Sequence, residues 1–157
     1  MRKKENEIKD KSAIEAVIQK ATVCRLGLSD GNIPYVVPVC FGYKDNTMYV
    51  HSSLKGMKID IIRKNQNVCF EVDINTEIIE AEKGCDWSIK YQSVIGFGKA
   101  TLVEDTEEKR EALDVIMSHY SDKEFQFPED GVNKTAVVKI EIESMTGKQA
   151  GYYSGIF

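Results

Sequence analysis

The sequence is poor in the side chains that build metal sites. It contains two histidines and four cysteines among 157 residues. The cysteines are Cys24, Cys40, Cys69 and Cys85. They form no CxxC pair, and with only two histidines no zinc-ligand spacing can be assembled. We therefore predict no structural zinc site and interpret the cysteines in apolar segments as small buried hydrophobes.

Long apolar runs, a secretory signal and a basic stripe are also lacking. No stretch approaches the roughly 18 apolar residues that a membrane-spanning helix needs. The start of the chain, MRKKENEIKDK, is charged throughout, unlike a signal peptide. The net charge is −4, the pI is near 5.3, and the basic residues are scattered, which argues against a nucleic-acid binder. We expect a cytoplasmic protein without nucleic-acid or membrane partners.

What the chain does contain is the composition of a globular domain. Hydrophobic residues make up 42% and charged residues 29% of the sequence. A chain of 157 residues holds one ordinary domain, and no internal repeat or low-complexity linker divides it. We predict a single domain over residues 1–157, in which residues 1–10 form a mobile N-terminal segment.

Strand-like segments with tight turns dominate the pattern. We predict six or seven strands, the last over residues 136–142, and a loop over residues 121–133. Three short helices are predicted: one over residues 12–21 behind a capping box of Ser12 and Glu15, one from Met57, and one from Asp105. This composition favours a mainly β fold, a small antiparallel barrel with short helices, over a parallel sheet.

Two strands carry residues that disturb a regular ladder. Pro38 has no N–H to donate, so the apolar segment 34–43 is predicted to lack a ladder partner there or to form a bulge. Gly96 and Gly98 indicate a bend or coiling in the long strand over residues 90–104.

The most informative segment runs from His51 to Lys58, where a strand, a polar turn and a helix start follow one another. Unpaired N–H groups at a helix start bind anions. Ser52 and Ser53 could donate hydrogen bonds to a phosphate, with charge from Lys55 and Lys58. The alternative is an ordinary cap by one of the serines with two solvated lysines. The P-loop pattern is absent.

Other candidates each have a structural alternative. His51 could bind or protonate a ligand, or be a partly buried histidine with one hydrogen bond. His119 near a helix end needs no functional role. Four residues share one strand face and could line a planar cofactor or belong to the core. They are Tyr91, Ser93, Ile95 and Phe97.

Five blocks of sequence are informative when they are taken together. In chain order they are VCRLGL (23–28), PYVVPVCFGY (34–43), MYVHSSLKGMKIDIIRKN (48–65), VCFEVD (68–73) and CDWSIKYQSVIGFGKATLVED (85–105). These blocks resemble the pyridoxamine 5'-phosphate oxidase-like flavoproteins, and within them the nitroimidazole-resistance (Nim-type) branch. The likeness covers roughly residues 8–120.

The resemblance implies a split β-barrel of the FMN-binding type, a homodimer that holds FMN, with FAD as the alternative, at the subunit interface. The positions matching the family's phosphate site are Ser52, Ser53, Lys55 and Lys58, and His51 adjoins them. Val37, Pro38 and Val39 match the segment that runs along the isoalloxazine ring, and Ser93 matches a polar residue facing it. Met57 replaces an arginine of many relatives, which removes one phosphate contact.

For the function, the resemblance implies an FMN-dependent reductase that takes electrons from an external donor and reduces a small planar acceptor such as a nitroaromatic. His51 is the candidate for protonating or orienting the acceptor. The oxidases' C-terminal substrate motif is not recognisable in residues 147–157, so pyridoxamine phosphate is not the expected substrate. Lys148 or Tyr152 could face the partner's flavin. The alternatives are a non-catalytic flavin carrier or sensor, or a haem protein using His51.

Overall fold

The structure, a computed structural model, describes residues 4–152. Residues 1–3 and 153–157 lie outside the described part. They include the start of the segment 1–10, predicted to be mobile, and the end of the C-terminal segment 147–157. Within the described residues, the strands are β1 (Glu7–Ile8), β2 (Cys24–Asp30), β3 (Ile33–Val39), β4 (Phe41–Lys44), β5 (Thr47–Ser53), β6 (Asn67–Ile79), β7 (Ser88–Leu102) and β8 (Thr135–Ala150). The helices are α1 (Lys11–Lys20), α2 (Met57–Lys64), α3 (Thr106–Ser118) and α4 (Glu129–Asn133), with 3₁₀ turns at Lys4–Asn6 and Gly84–Asp86.

All pairings among the described strands are antiparallel, in the order β3-β2-β6-β7-β8-β5-β4, with β1 added to β8. The two end strands, β3 and β4, are joined by Cys40 alone. Because a single residue links the two end strands of the sheet, the sheet must curl until β3 and β4 come together at Cys40. The predicted split β-barrel is confirmed, and its opening lies beside Cys40.

The barrel interior is filled by alternate residues of the strands. Phe41, Met48, Phe70, Val94 and Ile140 are fully buried there. A second cluster lies outside the barrel, where α3 and α4 cover Val137 and Tyr49. None of the described helices combines the length and apolar character needed to cross a bilayer.

The helix starts agree with the sequence in one case and differ in another. The carboxylate of Asp105 accepts from the N–H of Glu108 at 2.9 Å, as predicted. The capping box at Ser12 is wrong: Asp10 is the cap of α1 and accepts from the N–H of Ala13 at 3.0 Å. Ser12 donates instead to the Asp10 carboxylate, because the helix begins at Lys11 and Ser12 already lies inside its first turn.

The final strand is longer than predicted and the loop before it is partly helical. Strand β8 runs from Thr135 to Ala150 rather than over 136–142, because β7 and β1 supply its partners beyond the point where apolar alternation ends. Five residues of the predicted loop form α4. Glu7 and Ile8 pair with Lys148 and Gly147, so this part of the N-terminal segment has sheet partners.

The irregularity predicted at the paired glycines is confirmed. The register between β7 and β8 shifts between Phe97 and Gly98. A Cβ on Gly98 would stand 2.3 Å from the Glu141 carbonyl oxygen, so the strands approach there more closely than a side chain allows.

Candidate functional site

The end of β5 and the start of α2 place the predicted polar cluster at one end of the barrel. His51, Ser52 and Ser53 are the last residues of β5 and pair with the first part of β8, at residues 135–137. A short turn over residues 54–56 then leads directly into α2. The strand end and the helix start are therefore neighbours, as the sequence pattern predicted.

The first turn of α2 has no side-chain cap. The cap position is Gly56, whose φ of +129° is a conformation that favours glycine. No side chain of the described residues accepts a hydrogen bond from the first turn. The alternative that Ser52 or Ser53 caps this helix is therefore wrong, because both serines belong to β5. The exposed N–H groups and the helix dipole make this end attractive to an anion.

Lys58 stands in that first turn and is half-buried. Burial lowers the pKa of its ammonium group. Within residues 4–152, no carboxylate forms an ion pair with Lys58. A partly desolvated cation without a counter-charge fits an anionic ligand. The alternative interpretation, two solvated lysines, holds for Lys55, which is exposed, but not for Lys58. Met57 is 61% exposed and offers only an apolar side chain at this position.

The strand predicted to line a planar ring has a free edge. Strand β3 pairs with β2 on one side and with no described strand on the other. Pro38 thus lies on an end strand, as its missing N–H predicted. Val39 is buried opposite Cys24, whereas Pro38 is exposed opposite Arg25. Phe41, two residues after Val39, pairs with Val50, so this edge lies beside the end of β5.

Ser93 lies apart from this cluster. It is buried on β7, opposite Asp73 and Lys148, and β7 stands three places from β3 in the sheet order. One chain therefore brings together the residues of β3, β5 and α2 but not Ser93. His51 is exposed, and no hydrogen bond of its side chain to another described residue is observed.

An outward apolar patch on the sheet is the feature that sequence reasoning misinterpreted. Ile95 and Phe97 are 41% and 54% exposed, so their core interpretation is wrong for the single chain. One row of neighbours crosses four strands: Phe97 lies opposite Cys69, Cys69 opposite Gly27, and Gly27 opposite Val36. Val36 is 64% exposed. We call Val36, Ile95 and Phe97 the outer apolar patch. Alternation along β7 indicated a shared face but not which side the barrel would cover.

A groove of about 1250 Å³ lies on another side of the molecule, between α3 and the strands β4, β5 and β8. Its walls are charged, with Glu108 and Lys139 paired at 3.2 Å. None of the residues predicted to bind a ligand lines it.

Known proteins similar to the chain share its fold. The family model for pyridoxamine 5'-phosphate oxidase matches residues 10–149. A candidate 5-nitroimidazole antibiotic resistance protein from Bacteroides thetaiotaomicron VPI-5482 is 38% identical, with 91% of this chain and 86% of that chain covered and a TM-score of 0.83. No curated protein matches the chain.

Two more distant structures extend the similarity of fold. An FAD-binding protein from Mesorhizobium loti is 23% identical over 90% of this chain and 96% of its own, with a TM-score of 0.65. An FAD and heme binding protein from Mycobacterium smegmatis is 13% identical over 97% of this chain and 77% of its own, with a TM-score of 0.86.

Proposed function

The chain belongs to the pyridoxamine 5'-phosphate oxidase family, and we propose that it binds FMN and reduces a small planar acceptor such as a nitroaromatic. The family model and the 38% identical resistance protein confirm the resemblance inferred from the sequence blocks. The observation that carries the proposal is the uncapped first turn of α2 with Lys58, half-buried and unpaired, inside it. These features fit a phosphate monoester.

The phosphate is held from three directions. The first-turn N–H groups of α2 donate along the helix axis, and Lys58 supplies the charge. Ser52 and Ser53, at the end of β5, add hydroxyl donors, and the exposed Lys55 adds a second cation. Lys55 and Lys58 form no ion pair with another described residue, and two such lysines at one helix end suit the single phosphate of FMN. FAD, which the M. loti and M. smegmatis proteins are named for, is the alternative.

The free edge of β3 would hold the ring. Backbone groups of consecutive strand residues point alternately to the two sides of the strand, so the N–H groups of Val37 and Val39 point towards β2. The free edge at Pro38 therefore offers the Pro38 carbonyl oxygen as an acceptor for a donor of the ring. The short link through Cys40 keeps this edge beside the phosphate cluster.

A second copy of the chain covers the outer apolar patch. Val36, Ile95 and Phe97 lie exposed on one face of the sheet, and apolar groups grouped in this way mark an interaction surface. Ser93 shares that face of β7 with Ile95, so pairing two copies through it would bring the Ser93 of one chain towards the ring of the other. We propose a homodimer with the flavin at its interface, the arrangement that the family resemblance implies.

The chemistry follows from what each part supplies. A flavin held by these residues would supply the redox chemistry, taking an electron pair from an external donor such as a reduced nicotinamide and passing it to the acceptor. Reduction of a nitro group to a nitroso group consumes two electrons and two protons and releases water. His51, exposed at the end of β5, is placed to supply a proton to the acceptor.

The proposal is tested by measuring whether the reduced flavin on the protein reduces an added acceptor, so that the natural electron donor need not be known. The FMN-loaded protein is reduced photochemically without oxygen and mixed with 2-methyl-5-nitroimidazole, with 2-methylimidazole as the control. We expect the oxidised flavin spectrum to return only with the nitro compound, together with a nitroso product in the mass spectrum. Retained flavin that stays reduced in both mixtures would contradict the reductase and support a carrier. A Soret band in the purified protein would support haem binding instead.

A further inference from the structure

Two consecutive aromatic residues that follow α3 hold the chain just before β2. The ring Nε2 of His119 lies 2.6 Å from the Ala21 carbonyl oxygen, and the Tyr120 hydroxyl donates to the Thr22 carbonyl at 3.1 Å. Because a carbonyl only accepts, Nε2 carries the proton in this contact. The end of α3 is therefore joined to the residues that lead into β2.

The same tyrosine also holds the start of β4. Its hydroxyl oxygen accepts from the backbone N–H of Phe41 at 3.0 Å. The Phe41 ring is fully buried and lies 4.3 Å from the imidazole of His119, which in turn lies 4.8 Å from the Tyr120 ring. Burial raises the pKa of Tyr120, so the hydroxyl keeps its proton and both donates and accepts. We call Phe41, His119 and Tyr120 the aromatic clasp.

The clasp holds the proposed flavin strand from two sides. Thr22 lies two residues before Cys24, and Cys24 is the partner of Val39 in the ladder between β2 and β3. Phe41 lies two residues after Val39 on the other side of the barrel opening. One hydroxyl group therefore fixes the distance between the two chain segments that flank the end of β3.

We propose that Tyr120 is a positioning residue for the flavin site, acting through the edge formed by residues 37–39. The inference rests on the proposed function, since it concerns the strand along which the ring lies. Without the hydroxyl, the N–H of Phe41 loses its acceptor and the junction at Cys40 loses its tie to Thr22. The backbone groups at the edge of β3 are then less well preorganised, and FMN binds more weakly.

The variant Tyr120→Phe removes one oxygen atom and keeps the ring. Tyr43→Phe is its matched control, because the Tyr43 hydroxyl also ties β4 to a helix, donating to Glu15 of α1 at 2.9 Å. Tyr43 stands near the opposite end of β4, away from residues 37–39. Flavin fluorescence quenching gives the FMN Kd of each variant, and calorimetry of the flavin-free proteins gives Tm.

We expect Tyr120→Phe to raise the FMN Kd by about fivefold, the loss of one neutral hydrogen bond expressed in binding. Tyr43→Phe lowers Tm but leaves the Kd within about twofold, since its bond is remote from the site. If the wild type binds FMN and Tyr120→Phe has the same Kd, the role of Tyr120 is overturned and the proposed function is not. If the wild type binds no FMN, the proposed function fails as well.

A second variant decides the matter if Tyr120→Phe does not fold. His119→Gln keeps an N–H for the Ala21 carbonyl but removes the ring that lies between Phe41 and Tyr120. We expect it to raise the FMN Kd in the same direction. A folded His119→Gln protein with the wild-type Kd contradicts the inference.

Discussion

Gly42 of β4 lies directly beneath Val115 of α3. A Cβ placed on Gly42 would stand 2.4 Å from the Val115 carbonyl oxygen, far inside any real contact. The backbone of the helix therefore rests on the backbone of the strand. This close approach brings the end of α3 within reach of Ala21 and Phe41, where His119 and Tyr120 make their contacts.

The first prediction is that Gly42→Ala destabilises the fold. The added methyl group must push α3 away from β4, which we expect to lower the free energy of unfolding by about 1–3 kcal/mol. Gly84→Ala is the control, because a Cβ there has no atom within 4 Å. Denaturant unfolding measures both variants. Equal stability of the two would show that α3 moves at no cost.

The second prediction concerns the phosphate. We expect Lys58→Ala to weaken FMN binding about tenfold or more, the loss of a charge-assisted contact, while the fold is kept. Lys64→Ala on the same helix is the control, since Lys64 is exposed and paired with Asp30 at 3.3 Å. Absorbance after desalting measures retained flavin. Normal retention by Lys58→Ala would remove Lys58 from the site.

The third prediction is a loss of FMN affinity at alkaline pH. Burial lowers the pKa of Lys58 from the ordinary value of 10.5, and a bound phosphate favours the charged form. Affinity should therefore be highest below the lowered pKa and fall as the pH rises through it. Without ligand the sign is opposite: the cost of burying the charged amine disappears as the pH rises, so its unfavourable effect on stability diminishes.

Lys58→Arg separates this titration from that of the flavin itself. A guanidinium stays charged throughout the range, so the difference between the two proteins reports Lys58 alone. We expect the affinity ratio of the arginine variant to the wild type to increase towards high pH. A constant ratio would mean that the charge of Lys58 does not contribute to binding.

The fourth prediction concerns assembly. Phe97→Asp places a charge in the outer apolar patch, and we expect it to convert a dimer into a monomer and to reduce flavin retention. Phe125→Asp is the matched control, because Phe125 is 39% exposed in the segment between α3 and α4. Light scattering after size exclusion measures the mass. A dimeric Phe97→Asp protein would place the interface elsewhere.

The fifth prediction separates binding from proton supply. We expect His51→Ala to keep FMN but to slow reduction of a nitroimidazole by about 100-fold, a common effect of losing a general acid. Ferricyanide takes an electron without a proton and serves as the control acceptor, whose reduction should stay unchanged. Equal slowing with both acceptors would assign His51 to flavin positioning rather than to proton supply.

Much of the fold could be predicted because its determinants are local. Pro38 indicated either a missing ladder partner or a bulge, and the first holds because β3 is an end strand. The glycines at 96 and 98 indicated an irregular strand, and Asp105 marked a helix start. The predictions are wrong where a neighbouring residue or strand determines where an element begins or ends. Asp10 displaced Ser12 as the cap of α1, and β8 extends beyond Ile142 because β7 and β1 pair with it.

The candidate site could be predicted only where it is contiguous in sequence. The end of β5 and the start of α2 follow one another in the chain, so one pattern contains them both. Ser93 lies three strands from β3, a separation that a linear sequence does not show. The hydroxyl of Tyr120 reaches Phe41 and Thr22 across about eighty and one hundred positions of the chain, and no periodicity marks such contacts.

Flavin binding through the start of α2 and the edge of β3 underlies all of these proposals. It is tested by the absorbance spectrum of the purified protein after incubation with FMN and removal of free flavin by desalting. We predict that the visible bands of oxidised flavin remain with the protein in stoichiometric amount. A folded protein that emerges colourless would contradict flavin binding.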